Sequence, residues 1–163
     1  MSNSLNYRQA TQDDLPVVLE WTLALMHHEQ IDPELELPLK ANIKEQLNDW
    51  LTNLVTNDNA LFIIAEDPQG NARGGILGII QLAANDFVDV AVYGLIQMVW
   101  VNSEYRKQGI ASALVRYMEE TFKTMDIPYC EIQYSESNIE AEAFWKKSGY
   151  ARVSQTCRKM LSD

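Results

Sequence analysis

The segment Arg106-Lys107-Gln108-Gly109-Ile110-Ala111 constrains this chain more than any other part of it. It follows an apolar run from Leu95 to Val101 that is rich in branched residues. After it, apolar residues recur at helical spacing from Ile110 to Met125. These patterns predict a strand, a tight turn and a helix in succession.

The predicted turn has the properties of a phosphate-binding site. The first N–H groups of a helix have no intrahelical partner, and the helix dipole adds positive potential there. Gly109 and Ala111 carry almost no side chain, so a ligand can reach the backbone, while Arg106 and Lys107 add positive charge. The segment matches neither a P-loop nor the three-glycine dinucleotide fingerprint. We therefore expect this turn to hold a pyrophosphate in some other way.

The composition restricts the class of protein. A length of 163 residues suits one domain, which we assign to residues 1–163 with a core at about 5–161. The net charge of −10 argues against nucleic acid and is compatible with a cationic substrate. No apolar run approaches the roughly 18–20 residues that span a bilayer, and the N-terminus has no signal-peptide core. We expect a cytoplasmic protein without a membrane partner, in which Cys130 and Cys157 are reduced.

The remaining patterns predict the order β-α-α-β-β-β-α-β-α-β(-β), an α/β (α+β) arrangement around a mixed sheet. Thr11 and Asp14 resemble a capping box before the first helix, and Gly149 suits the end of the last one. The strand–helix–strand unit from Leu95 to Tyr134 predicts a right-handed parallel crossover. Strands are expected at 5–8, 60–65, 75–82, 91–101 and 129–134, helices at 15–29, 39–55, 110–125 and 140–148, and one or two closing strands within 150–161.

Two motifs carry a family resemblance. The segment 106–111 resembles the Arg/Gln-x-x-Gly-x-Gly/Ala signature of the GNAT acetyltransferases. The segment Asn138 to Tyr150 resembles the family's Asn-x-x-Ala-x-x-Phe/Leu-Tyr-x-x-x-Gly-Phe, and it follows at the usual distance. The order of elements is similar to the GNAT fold. The resemblance extends over about 5–161 and is weakest from His27 to Asn59.

The resemblance implies acetyl transfer from acetyl-CoA to an amine by direct attack in a ternary complex. It also implies a strand that is bulged near Val99 to Val101 and splayed from its neighbour, so that its main chain pairs with pantetheine. A backbone N–H near Val99 would act as an oxyanion hole. Asn138 would bond the pantetheine arm or the adjoining backbone, and as a favoured helix cap it suits that role too. The implied cofactor-binding residues are Val99, Trp100, Val101, Arg106, Lys107, Gln108, Gly109, Ile110, Ala111, Ser112, Asn138, Phe144 and Trp145.

The chain departs from the family pattern at the groups that move protons. Trp145 stands where many members have a Tyr that is proposed to protonate the departing thiolate, and an indole cannot act as an acid near neutral pH. The thiolate would then collect a proton from water or from a hydroxyl such as Tyr134. Trp145 itself is either a wall of the cofactor cleft or a core residue.

The general base is also open. The strand from Leu95 to Val101 has no carboxylate, and Gln97 is its only polar side chain. Glu131 on the next strand and Glu29 at the end of the first helix are the candidate carboxylates. His27 and His28 titrate in the right range but are more typical of a solvated helix end.

Two hypotheses follow for the function. The first is a GNAT-type N-acetyltransferase whose acceptor is the amine of a small molecule or a peptide. We expect the acidic region from His27 to Pro38 and the connection from Asn85 to Val90 to shape its acceptor pocket. The second is an acyl-CoA-binding regulatory module of the same fold without turnover. No metal site is expected, and the sequence leaves monomer and homodimer open.

Overall fold

The computed structural model describes residues 5–29, 32–83 and 87–161. The strands are β1 (Asn6–Gln9), β2 (Ala60–Glu66), β3 (Ala72–Leu82), β4 (Val92–Val101) and β5 (Cys130–Ile132). The α-helices are α1 (Leu15–His28), α2 (Ile43–Val55), α3 (Ile110–Thr124) and α4 (Ile139–Lys147). The order of these elements confirms the predicted fold class. The connection predicted from Asn85 to Val90 lies partly outside the described residues.

The five strands form one mixed sheet in the order β1-β2-β3-β4-β5. The first four pair antiparallel, whereas β4 and β5 pair parallel over three residues, with Gly94 opposite Cys130 and Ile96 opposite Ile132. The register of β4 against β3 shifts between Leu77 and Gly78: Leu77 pairs with Met98, but Gly78 pairs with Ile96, and Gln97 is skipped. Gln97 is therefore the extra residue of a β-bulge.

Helices cover both faces of the sheet. Val18 and Trp21 of α1 pack with Leu51 of α2 against one face, in a cluster that includes Met98. On the other face, Leu114, Met118 and Phe122 of α3 and Trp145 of α4 pack with Ile96 and Val101. Side chains on the two faces of the sheet thus lie in separate hydrophobic clusters, because successive side chains of a strand point to opposite faces.

Glycines let α3 lie close to the middle of the sheet. A Cβ at Gly94 would come within 2.5 Å of the Phe122 ring, and one at Gly78 within 2.5 Å of the Met118 sulfur. A larger side chain at either position would push α3 outward. The close fit fixes where α3 begins, and so where the turn before it lies.

Several predicted elements differ from the structure. Helix α2 begins at Ile43 and not at Leu39, and β5 is limited to three residues. The closing strands predicted within 150–161 are wrong, because no described residue of that segment belongs to a strand. Residues 151–161 are all exposed. Their few large apolar residues, such as Val153 and Leu161, provide no face that a strand could bury.

The predicted cap before α1 is part of a larger ionic network. Asp14 accepts hydrogen bonds from the Thr11 N–H at 2.8 Å and the Thr11 hydroxyl at 3.1 Å. Arg8 of β1 donates two more to Asp14, at 2.8 and 2.9 Å, and its Nε donates to Glu66 of β2 at 2.7 Å. Through these bonds Arg8 joins the edge strand, its neighbour and the start of α1.

This network predicts a pH dependence of stability. The hydrogen bond from Arg8 lowers the pKa of Asp14, and the bonds from Asn6 and Arg8 lower that of Glu66. Carboxyl groups whose pKa is lower in the folded state contribute stability that is present above their ordinary pKa of about 4. That stability is lost as the pH falls through the lowered, folded-state values.

We expect Arg8→Met to reduce the free energy of unfolding at pH 7 by about 2 kcal/mol and to flatten its fall below about pH 4. Urea unfolding at pH 7 and at pH 3–4 measures both effects. The control is Lys123→Met, which removes an ion pair with Glu120 whose side chains are 68% and 70% exposed. An equal acid dependence in Arg8→Met and the wild type would contradict the prediction.

Candidate functional site

The turn before α3 has the geometry of an anion site. Gly109 is the N-cap of α3 and has a φ of 83°, while Lys107 has a φ of 60°. The Arg106 N–H reaches Ser103 at 3.4 Å, and the Ala113 N–H reaches the Gly109 carbonyl at 3.0 Å. The six amides from Lys107 to Ser112 lie between these two and have no acceptor among the described residues. Such a row of free amides at a helix start attracts anions.

The side chains around the turn leave these amides accessible. Residues 106–109 are exposed, and a Cβ at Gly109 would meet nothing within 4 Å. Ile110 is buried in the core and anchors the helix, whereas Ala111 is half-buried and Ser112 is exposed. The turn is thus anchored from beneath and open above.

Arg106 is fixed at the edge of the turn. Its Nε donates to the Val101 carbonyl at 3.0 Å, and its guanidinium carbon lies 4.8 Å from the centre of the Trp100 ring. The bond and the ring contact hold the exposed guanidinium beside the free amides. The Nη groups have no protein partner among the described residues and can meet a phosphate.

The strands β4 and β5 diverge next to this turn. Their pairing ends at Ile96 and Ile132, although β4 continues to Val101. The predicted splayed strands are therefore present. The predicted bulge is present too, at Gln97, two residues before Val99.

The direction of the backbone groups in β4 follows from three hydrogen bonds. The Asn102 N–H donates to Arg73 on the β3 side at 3.0 Å, and the Gly94 N–H donates to Tyr129 on the β5 side at 3.0 Å. Alternation along the strand then turns the N–H and C=O of Val99 and Val101 towards the gap. The bond from Arg106 to the Val101 carbonyl agrees with this direction. Val99 thus presents its backbone to the gap.

Asn138 links the start of α4 to the end of α1. As the N-cap of α4 it accepts a hydrogen bond from the Ala141 N–H at 3.0 Å. Its side-chain amide donates to Glu29 at 2.6 Å, and the other Glu29 oxygen accepts from the Ser135 N–H at 2.8 Å. The sequence suggests Asn138 as a cofactor-binding residue and Glu29 as a base, but it does not predict their contact, because no sequence pattern links residues 109 positions apart.

Trp145 is a core residue of α4. It is 8% exposed and packs edge-to-face with Phe144 and Tyr150, at 4.9 and 5.1 Å between ring centres. Phe144 is half-buried in the same cluster. No buried side-chain nitrogen lacks a partner among the described residues, and the indole N–H of Trp145 has no protein acceptor there. That N–H is therefore within reach of water or a ligand.

Tyr150, whose ring packs against Trp145, forms a hydrogen bond with a carboxylate of α3. The Tyr150 hydroxyl donates to Glu119 of α3 at 3.0 Å, and burial raises the pKa of this phenol. Burial also raises the pKa of the neighbouring Cys130 thiol. Both groups stay protonated at neutral pH, so they belong to the packing between α3, β5 and α4.

The candidate bases lie on the α1 side of the sheet. Cys130 and Ile132 pack into the α3 cluster, so the alternation of β5 turns Glu131 towards the opposite face. There Tyr93 has a raised pKa, mainly because it is buried and secondly because the charge of Glu131 is near. A cavity of about 350 Å³ lies beside the end of α1 and the start of α4. It is lined by His27, His28, Ser137, Asn138, Ile139 and Glu140.

Two other kinds of site are missing from residues 5–29, 32–83 and 87–161. These residues contain no group of three or more His, Cys, Asp or Glu that could hold a metal ion. None of their helices is long and apolar enough to cross a membrane.

Comparison with known proteins agrees with this geometry. The model of the acetyltransferase (GNAT) family matches residues 22–150, well over half of the chain. No curated protein sequence matches significantly.

Many solved structures share the fold at low identity. A GCN5-related N-acetyltransferase from Ralstonia eutropha JMP134 has a TM-score of 0.79 and 17% identity, over 98% of this chain and 100% of that one. A predicted acetyltransferase with acetyl-CoA from Clostridium acetobutylicum has 0.76 and 18%, over 97% of each chain. An aminoglycoside antibiotic 6'-N-acetyltransferase from Acinetobacter haemolyticus has 0.74 and 15%, over 97% and 99%.

Proposed function

The chain belongs to the acetyltransferase (GNAT) family, whose acetyl donor is acetyl-CoA, and we propose that it acetylates a cationic small-molecule amine by direct attack in a ternary complex. The observation that carries this proposal is the row of free amides from Lys107 to Ser112 beside the gap between β4 and β5. An anion site next to an open strand edge suits a donor with a pyrophosphate and an amide-bearing arm.

The free amides would hold the pyrophosphate of acetyl-CoA, with Arg106 and Lys107 adding charge. The pantetheine arm would then run along the open edge of β4, where Val99 and Val101 direct their backbone groups. Because Arg106 already occupies the Val101 carbonyl, Val99 has the backbone groups best placed for the arm. Trp100, Phe144 and Trp145 would line the cleft, and Asn138 would contact the arm through its remaining amide hydrogen.

Acetyl-CoA supplies an activated acetyl thioester. The Val99 N–H would polarise its carbonyl, since a fixed donor aimed at a developing negative charge lowers the barrier. This backbone donor needs no reorganisation, because β3 fixes β4 from the other side.

The acceptor would enter from the α1 side, through the cavity lined by His27, His28 and the start of α4. Glu140 lines this entrance, and Glu29 lies beside it through its bond to Asn138. These carboxylates favour a cationic amine over an acidic peptide. Aminoglycoside acetyltransferases are among the structural neighbours, and their substrates carry several amines, which supports the same class of acceptor.

Proton transfer would rely on water. Glu131 on the α1 face, acting directly or through water, would accept the proton of the amine. The Tyr150 hydroxyl donates to Glu119, so it is not free to replace the missing phenol at position 145. The departing thiolate, whose ordinary pKa is about 8.5, would collect its proton from solvent.

The proposal is tested by thiol release from acetyl-CoA with a panel of aminoglycosides, polyamines, neutral amines and lysine peptides. Turnover with the polycationic members and weaker turnover with neutral amines support it. Tight CoA binding measured by calorimetry, without turnover across the panel, would instead favour a regulatory acyl-CoA-binding module.

Gly109→Asp tests the phosphate turn. The carboxylate would repel pyrophosphate, and we expect the Kd for CoA to rise at least about 10-fold, or about 1.4 kcal/mol. Gly70→Asp is a matched control, because Gly70 has a φ of 82° and a Cβ there also meets nothing within 4 Å. Both variants carry the same backbone strain, so equal CoA affinities in calorimetry would contradict the assignment.

Trp145→Phe tests whether the indole N–H takes part in catalysis. We expect kcat to stay within about 3-fold of the wild type, because an aromatic wall remains. The melting temperature should drop by several degrees, because the smaller side chain leaves a space in the core that lowers the free energy of unfolding by about 1 kcal/mol or more. Trp21→Phe makes the same change in the α1 cluster and is the control for stability. A loss of kcat of about 10-fold or more in Trp145→Phe alone, with CoA affinity unchanged, would make Trp145 catalytic.

A further inference from the structure

Glu29 ends α1 with a carboxylate that is bonded on both oxygens. Oε2 accepts from the Ser135 N–H at 2.8 Å, and Oε1 accepts from the Asn138 side-chain amide at 2.6 Å. Both partners are donors, so the position requires a side chain that only accepts. Among neutral and ionised side chains of this length, only a carboxylate meets that requirement.

The amide of Asn138 cannot turn around to suit a different partner. Its oxygen accepts from the Ala141 N–H at 3.0 Å and caps α4. A flip would place its NH₂ group against that N–H and would leave the helix start without its cap. The direction of the bond from Asn138 to Glu29 is therefore fixed by α4.

These bonds join layers that the sheet does not connect at this end. Helix α1 packs on one face and α4 on the other. Between them β4 and β5 have stopped pairing, since their last pair is Ile96 with Ile132. Ser135 lies in the connection that leads from β5 to α4. Glu29 thus holds the start of α4 and this connection against α1, across the open end of the gap.

We propose that Glu29 is a positioning residue of the acetyltransferase, which fixes the width of the cleft by holding Asn138 and Ser135 against α1. The proposal rests on the proposed function, because the cleft is the one assigned to acetyl-CoA and the amine. It also argues against Glu29 as the general base. A proton taken up on either oxygen would neutralise the carboxylate and weaken the bonds that it accepts from Ser135 and Asn138 in every turnover.

An exchange of the two side-chain types tests this role. In Glu29→Gln the oxygen can still accept from Ser135, but the NH₂ group faces that of Asn138. In Asn138→Asp the new carboxylate keeps the α4 cap and faces the carboxylate of Glu29.

The double variant restores the bonds among residues 29, 135, 138 and 141, with donor and acceptor exchanged between positions 29 and 138. Its new amide at position 29 donates to the new carboxylate at position 138. That carboxylate still accepts from the Ala141 N–H, and the amide oxygen at position 29 still accepts from the Ser135 N–H.

We expect Asn138→Asp to lower kcat/KM and the melting temperature, and the addition of Glu29→Gln to raise both again. A gain in kcat/KM of at least about 10-fold over Asn138→Asp supports the positioning role. If Glu29 were the base, adding Glu29→Gln to the Asn138→Asp variant would lower kcat/KM further. That result, or an additive double variant, would overturn the proposal.

The matched control is Asn138→Asp with Glu45→Gln, which removes an exposed carboxylate on α2. An equal recovery in this control would show that net charge alone explains the rescue, and would also overturn the proposal. If Asn138→Asp does not fold, recovery of soluble protein and of the melting temperature in the double variant gives the same comparison.

CoA affinity and melting temperature need no acceptor. A wild type without turnover would refute the proposed function, while the exchange pattern in these two measurements would still decide whether Glu29 holds the cleft.

Discussion

The early end of pairing between β4 and β5 is the feature on which the rest of the site depends. Three residues of parallel pairing bring the strands together, and beyond Ile96 the backbone groups of β4 lose their partner on that side. Backbone N–H and C=O groups in a protein must be bonded to something. At the surface of a gap that partner is water or an extended ligand, so β4 offers the proposed substrate arm an open edge.

The bulge at Gln97 decides which groups face the gap. One extra residue reverses the alternation of the strand, so that Ile96 and Val99 pack into the same cluster although they are three residues apart. Without it, the backbone of Val99 would point at β3. The bulge thus converts an ordinary edge into one that presents Val99 beside the amides of the α3 turn.

The sequence predicts the parts of the site that are local in the chain. The turn at 106–111 and the cap at Asn138 follow from helix-end chemistry and lie where the sequence places them. The family resemblance predicts a bulge, but its position at Gln97 depends on register across strands. The bond between Glu29 and Asn138 depends on how two layers pack, and no local pattern encodes it. The closing strands predicted within 150–161 are wrong, because that segment lacks the regular apolar alternation by which a strand buries one face.

The charged and polar groups of the protein differ between the sites of its two proposed substrates. A chain with a net charge of −10 repels a polyphosphate at long range, but this repulsion is screened beyond about 8–10 Å at physiological salt. Within that distance, free amides and the fixed charge of Arg106 determine the potential at the turn. On the opposite face, the carboxylates of Glu29 and Glu131 contribute negative charge where the amine would enter. In the proposed function, backbone amides would therefore allow one acidic protein to hold an anion on one side of its sheet while carboxylates on the other side attract a cation.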